Sequence, residues 1–344
     1  MDSSLDLSGI NIDKYHVVEK IGNGSFGSVY NVIDMVLNTK KAIKILDISE
    51  PEKVLALFKE AEIPYKCQHK NIVMINEANV FSVNNELKVI IDMELVNGGS
   101  LEKRLKERFI PVVEGLKILS DALYGLEYAH LKGIVHRDIK PANILLHNDI
   151  PKISDFGLAV PNGTNIDPWV WYVTHAAPEV FENSVASIES DIFAFGMTLF
   201  RVVNNISDWR TYISQIKNYN ILIRNGKLIE HLPFSPYVPS RVKQIIKKAC
   251  KASPYDRYKS AAEFRDAIDR LRFYCKWYPV DSNTWEGLSC GSKDKYIARI
   301  NFGKKSEFVL KKNNRCIGSE CETFSTKEEA QAFLYQFIAQ KTIS

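Results

Sequence analysis

Between positions 136 and 157 the chain gathers groups that can act on a highly charged substrate. The run is His136-Arg137-Asp138-Ile139-Lys140-Pro141-Ala142-Asn143, followed by Asp155-Phe156-Gly157. Asn143 and Asp155 offer hard oxygen ligands of the kind Mg²⁺ takes when it keeps part of its water and bridges phosphates. Asp138 and Lys140 set a candidate base beside a cation. The set reads as the centre of a reaction on a metal-bound phosphate.

A second constellation lies upstream. Gly22-Asn23-Gly24-Ser25-Phe26-Gly27 matches GxGxxG, a weak signal alone, because dinucleotide-binding folds use the same spacing. There the glycines open a helix, whereas here Ser28-Val29-Tyr30-Asn31-Val32 continues as an alternating strand. The segment is therefore expected to be a hairpin lid whose backbone amides close over phosphates. Lys44, in Ala42-Ile43-Lys44, follows on the next strand, with Glu60 on the helix after it. That arrangement suits a lysine that bridges ATP phosphates while a helix carboxylate holds it. Glu62 is the rival partner for Lys44, and spacing to Asn71-Ile72-Val73 favours Glu60.

The elements that must position these residues follow from patterning. Strands are expected at 15–21, 28–33 and 41–45, a helix from Pro51 to Cys67, and further strands near 71–83 and 87–93. After Gly98-Gly99 the pattern turns helical, with Ile118, Ala122, Leu123, Leu126 and Ala129 at helical spacing, and further helices over 191–203, 240–251 and 260–274. The reading is an α+β chain in two lobes. Beyond Cys275 short alternating runs at 296–300 and 308–310 precede a helix over about 326–339. Divisions follow at 1–14 (an N-terminal extension), 15–274 (a catalytic domain, with lobes 15–96 and 97–274) and 275–344 (a small β/α domain).

Taken together, the glycine loop, Lys44, His136-Arg137-Asp138 with Lys140 and Asn143, and Asp155-Phe156-Gly157 resemble the eukaryotic-type protein kinase family over roughly Tyr15 to Arg272. The resemblance implies the two-lobed kinase fold, with a small β-rich N-lobe and a mainly helical C-lobe, and transfer of the γ-phosphate of ATP with Mg²⁺ to protein substrates. It implies that Asp138 orients the acceptor hydroxyl and takes its proton, that Lys140 offsets charge on the moving phosphoryl group, and that Asn143 and Asp155 place the metal. Lys140 at its position favours serine and threonine acceptors. Ile21, Val29, Ala42 and Leu145 would sandwich adenine, Glu94 and Val96 would present backbone groups to it, and Met93 would stand behind them. Gly22, Gly24, Ser25, Phe26 and Gly27 would cover the phosphates. Glu179, in Ala177-Pro178-Glu179, would pair with Arg257, and Asp191 would brace the catalytic loop.

Two features depart from the family's pattern. Pro64 falls one turn after Glu60, where proline can kink or end a helix, and Tyr172 occupies the place of a threonine that usually contacts Asp138 and Lys140. Both bear on whether activity is conditional and on acceptor choice, and they motivate the alternative of a nucleotide-binding pseudokinase that signals by conformation. Arg137 implies control by a phosphate in the activation segment, placed by autophosphorylation, with Thr164, Tyr172 and Thr174 as the available hydroxyls and Asp167 as the alternative charge.

The bulk numbers set the frame. In 344 residues, 45 basic against 41 acidic side chains leave a net +4, too even a balance for the whole chain to be a nucleic-acid or anionic-membrane binder. No apolar run reaches the ~18 residues needed to span a bilayer, and the first residues carry neither a signal-peptide pattern nor a myristoylation glycine. Six cysteines without close pairs suggest reduced thiols and a cytoplasmic setting. The segment 275–344 weakly resembles plant ethylene-response-factor domains and phage integrase arms, which makes nucleic acid a candidate partner. The plainer reading is a protein-interaction or lobe-docking module. Cys275, Cys290, Cys316 and Cys321 are also considered as zinc ligands.

Overall fold

The structure, a computed structural model, describes residues 7–24, 27–47, 65, 67–83, 86–166 and 173–343. Nearly all of the helix expected over 51–67, with Glu60, Glu62 and Pro64, lies outside the described residues. Ser25, Phe26 and Tyr172 lie outside them too.

The described residues of the N-terminal lobe form one antiparallel sheet. Its strands are β1 (Asn11–Ile12), β2 (Tyr15–Gly24), β3 (Gly27–Asp34), β4 (Thr39–Asp47), β5 (Ile75–Val83) and β6 (Glu86–Met93), in the order β1-β2-β3-β4-β6-β5. Alternation along β3 buries Tyr30 and Val32 against Val17, Ile43 and Ile90, as a half-buried strand requires. The strand expected from Asn71 begins instead at Ile75. Ile72 forms a parallel bridge to Ile153, and Val73 N–H donates to the Ile153 carbonyl at 2.9 Å. These residues therefore tie the N-lobe to the catalytic hairpin before the strand can start.

The second lobe is mainly helical. After α1 (Leu101–Glu107) comes α2 (Val112–Leu131), whose buried stripe contains the expected Ile118, Ala122, Leu123, Leu126 and Ala129. Gly125 lies on that face because a Cβ there would collide with the Asn71 carbonyl. The catalytic segment follows as short strands β7 (Ile134–Val135), β8 (Ile144–His147), β9 (Ile150–Ile153) and β10 (Val160–Pro161), with β7 paired to β10 and β8 to β9. Then come α3 (Pro178–Asn183), α4 (Ile188–Val203), α5 (Trp209–Ser214), α6 (Tyr219–Arg224), α7 (Leu228–His231), α8 (Ser240–Ala249) and α9 (Ala261–Asp269). Helix α4 opens on a Ser187/Ser190 capping box and is buried along almost its whole length, so it forms the axis of the lobe.

The helix expected to reach Tyr274 stops at Asp269, because the chain must turn into a second sheet. This comprises β11 (Cys275–Asp281), β12 (Thr284–Ser289), β13 (Lys295–Phe302), β14 (Ser306–Lys312), β15 (Arg315–Cys316) and β16 (Glu322–Phe324), with α10 (Lys327–Gln340) packed across it. Strands β11 and β12 were not foreseen. Pro279 argues against a strand, but β11 is at the sheet edge, where a missing N–H is tolerated, and its register shifts after Pro279. Trp277, Tyr296, Phe308, Leu334 and Phe337 form a core of their own here. Trp285 reaches outward from it, its ring centroid 5.6 Å from Phe109 and 5.2 Å from Tyr237 of the helical lobe.

Among the described residues, no helix is long and apolar enough to cross a membrane. Nor do three or more His, Cys, Asp or Glu side chains converge on a metal position, so the zinc reading has no support there.

Candidate active site

The site is held from beneath by α4. Asp191, fully buried, accepts from His136 N–H at 2.7 Å and Arg137 N–H at 2.8 Å, and its Oδ2 lies 2.9 Å from His130 Nε2. Two backbone amides and a histidine on one carboxylate lock the start of the catalytic loop. Arg137 takes φ 71°, a left-handed conformation that a non-glycine residue holds only when its surroundings impose it.

Within the loop, Lys140 Nζ reaches both oxygens of Asp138, at 2.9 and 2.7 Å. Asn143 Nδ2 donates to the Asp138 carbonyl at 2.9 Å and to Oδ2 at 2.8 Å. Because the amide nitrogen is spent on Asp138, the Asn143 oxygen is the end left to act as a ligand. Burial raises the Asp138 carboxyl above the ordinary carboxylate range, with the Lys140 ammonium pulling the other way.

Asp155 follows β9 in a left-handed conformation, φ 61° and ψ 65°, which turns it toward the N-lobe. There Lys44 Nζ, itself buried, meets Asp155 Oδ1 at 2.9 Å. Burial works against the charge on Asp155, but the Lys44 ammonium outweighs it and holds the carboxyl below its usual range. Phe156 is buried edge-on against His136 at 4.6 Å between ring centroids, fixing the turn that follows Asp155.

Above these groups lies a cleft of about 760 Å³ between the lobes. Its walls include Ile21, Gly22, Val29, Met93, Val96 and Leu145, and Lys44, Asn143 and Asp155 lie on its polar side. Ile21 stands 46% exposed at the cleft, apolar surface that a flat base would cover. Ala42 is instead buried, 4% exposed. The Glu94 side chain turns aside to the Met74 N–H at 2.7 Å and Lys152 at 2.8 Å, and its own N–H donates to the Met74 carbonyl. Its carbonyl remains the group to offer. Gly24 and Gly27 pair across the β2–β3 tip, but Gly27 has a reason beyond phosphate access: a Cβ there would strike the Ile45 carbonyl. Sequence reasoning missed Leu95, Asn97, Ser100 and Lys103, which also line the cleft. Ser100 carries a local signal, since it caps α1 through Lys103 N–H.

A nucleoside triphosphate with Mg²⁺ fits this set. The volume suits a ligand of that size, a buried ammonium faces phosphate positions, and Asn143 and Asp155 supply hard oxygens too few to cage a metal without help from phosphates. The pairing of Glu179 with Arg257 is also present, at 2.6 and 2.7 Å, bidentate and buried.

The protein kinase domain model matches residues 15–267. The chain belongs to the protein kinase domain family. It is 28% identical over 320 residues to the serine/threonine-protein kinase PrkC of Bacillus subtilis, which covers 88% of this chain and 48% of PrkC. It is 28% identical over 269 residues to PknJ of Mycobacterium tuberculosis, covering 74% of this chain and 44% of that kinase. The chain thus spans less than half the length of these relatives. A crystal structure of the Mycobacterium tuberculosis PknI kinase domain superposes with a TM-score of 0.57 at 24% identity, covering 76% of this chain and 97% of that one. The fold is the two-lobed kinase fold, and kinases of this family use ATP with Mg²⁺.

Proposed function

We propose that the chain is an Mg-ATP-dependent protein kinase that phosphorylates serine and threonine hydroxyls of protein substrates. One observation carries the reading: Lys44, Asn143 and Asp155 line the polar side of one cleft, Lys44 bonded to Asp155, while Asn143 and Lys140 both bond Asp138 just beneath it. Asn143 and Asp155 would hold Mg²⁺, which would supply neutralisation of the phosphate charge. Asp138 accepts the hydroxyl proton. Lys140 opposes the rise that burial imposes on that carboxyl and lies beside the site of transfer. Lys44 and Asp155 hold each other in place, and the lid glycines admit the phosphates. Ile21, Val29, Ala42, Met93, Val96 and Leu145 are the adenine walls in this reading, with the Glu94 carbonyl at the rim. Glu60, Ser25 and Phe26 keep the roles that the sequence suggests.

The segment 15–274 would be the catalytic domain and 275–344 an accessory domain. The spacing of the six cysteines, without CxxC pairs, supports a reducing, cytoplasmic setting. The alternative, a nucleotide-binding chain acting by conformation alone, is not favoured, since the catalytic side chains are complete and the relatives are named as kinases. Transfer of radiolabelled phosphate from Mg-ATP to a generic protein substrate should fall at least ~10³-fold in Asp155→Ala, the scale of losing a key electrostatic group. Equal labelling in both proteins would sink the assignment.

A further inference from the structure

Two cysteines outside the catalytic site are set for joint chemistry. Cys316 ends β15 opposite Lys311 of β14, a single 3₁₀ turn over Gly318–Glu320 follows, and Cys321 precedes β16. The turn folds the chain back so that Cys316 Sγ and Cys321 Sγ lie 3.5 Å apart. It is closed by Glu320 N–H and Cys321 N–H on the carbonyls of Ile317 and Gly318, at 3.0 and 3.2 Å. Cys316 is exposed and Cys321 half-buried, whereas Cys67, Cys250 and Cys275 are buried.

From this geometry we propose that Cys316 and Cys321 form a thiol–disulfide site that reacts with low-molecular-weight disulfides. A disulfide needs its sulfurs ~2.0 Å apart, so ~1.5 Å of closure is required, within reach of small side-chain rotations. The exposed Cys316 thiolate attacks one sulfur of glutathione disulfide, making a mixed disulfide and releasing glutathione thiolate. The Cys321 thiolate then attacks the Cys316 sulfur, the Cys316–glutathione bond breaks, and a second glutathione leaves. Two thiol protons go to the two departing glutathiones, and the two electrons reduce the reagent. The hydrogen bond to Cys321 holds the Cys316 thiol above its ordinary range, Glu307 adds to this and Lys311 opposes it. The first step therefore quickens as the solution becomes alkaline.

The turn is wired to the rest of its sheet. Glu320 Oε1 takes Lys341 Nζ at 3.1 Å at the end of α10, and the Lys341 carbonyl accepts from Trp277 Nε1 at 3.3 Å in the core. Closing the bridge constrains the segment that anchors that helix end.

The experiment equilibrates the full chain with glutathione disulfide at mildly alkaline pH, without denaturant, and reads intact mass and peptide maps. The expected product has lost two hydrogens and links Cys316 to Cys321, and alkylation of both thiols by iodoacetamide falls at least ~10-fold. Cys321→Ser should stop at a stable glutathione adduct on Cys316, whereas Cys316→Ser should gain little adduct at Cys321. Thermal unfolding of each variant, unchanged from wild type, shows that the serines leave the fold intact. Any of three outcomes would overturn the proposal: both thiols remaining free, a wild-type chain that retains glutathione, or a bridge to Cys290 instead.

Discussion

Asp138, the proposed base, illustrates how one residue's environment would set a reaction's pH range. Burial pushes its carboxyl up and Lys140, within 2.9 Å, brings it back toward the charged form. Only the charged form can accept a proton, so kcat/KM should decline as pH falls through a value above the ordinary carboxylate range. In Lys140→Met the largest opposing charge is gone and burial prevails more strongly. The acid limb of the pH profile should then move to higher pH, besides a drop in rate; an unmoved limb would show that Lys140 does not tune Asp138. Lys44 and Asp155 show the reverse balance, in which a buried ammonium holds a carboxyl charged.

At the scale of elements, α4 carries the catalytic loop through a single side chain. Asp191→Ala strands two backbone N–H groups and His130 in a dry interior, a loss of about 3 kcal/mol or more in urea unfolding, with phosphoryl transfer falling alongside. The turn into β13 has its own polar hub: Asp294 accepts from Ser292, Asn313 and Lys312, and these bonds lower its carboxyl to about 2. A group with a lowered folded value stabilises above the unfolded value, ~3.9, and that contribution disappears as pH falls toward about 2. Urea midpoints between those limits should fall more steeply in wild type than in Asp294→Asn. Parallel curves would remove Asp294 from the acid response.

Across the whole molecule, the sheet of 275–343 is joined to the helical lobe through aromatic contacts in which Trp285 packs against both Phe109 and Tyr237 and also meets Tyr335 of α10. Trp285→Ala removes a buried ring from that junction, a loss of about 3–5 kcal/mol. Calorimetry should then resolve two thermal transitions, the C-terminal sheet melting first. A single transition at the wild-type temperature would mean that the aromatic cluster does not couple the two parts.

By itself the sequence determined the chemistry and most of the frame. Asp138, Lys140, Asn143, Asp155 and Lys44 were legible as a set because their residue types and spacings suit the proposed handling of phosphates and metal, and α2 and α4 from periodic burial of apolar side chains. Glu60 and Tyr172 stay as the sequence left them, outside the described residues. The tertiary structure decided what depends on partners distant in the chain. Asn71 to Val73 run beside β9 because the catalytic hairpin offers them hydrogen bonds. Gly27 is required by the closeness of β4, and β11 tolerates Pro279 because it lies at a sheet edge. Cys316 and Cys321 become a pair only because a turn folds one sulfur onto the other. Local spacing encodes which groups are available, but burial and approach distance, which set their charge state and their neighbours, exist only once the chain has folded.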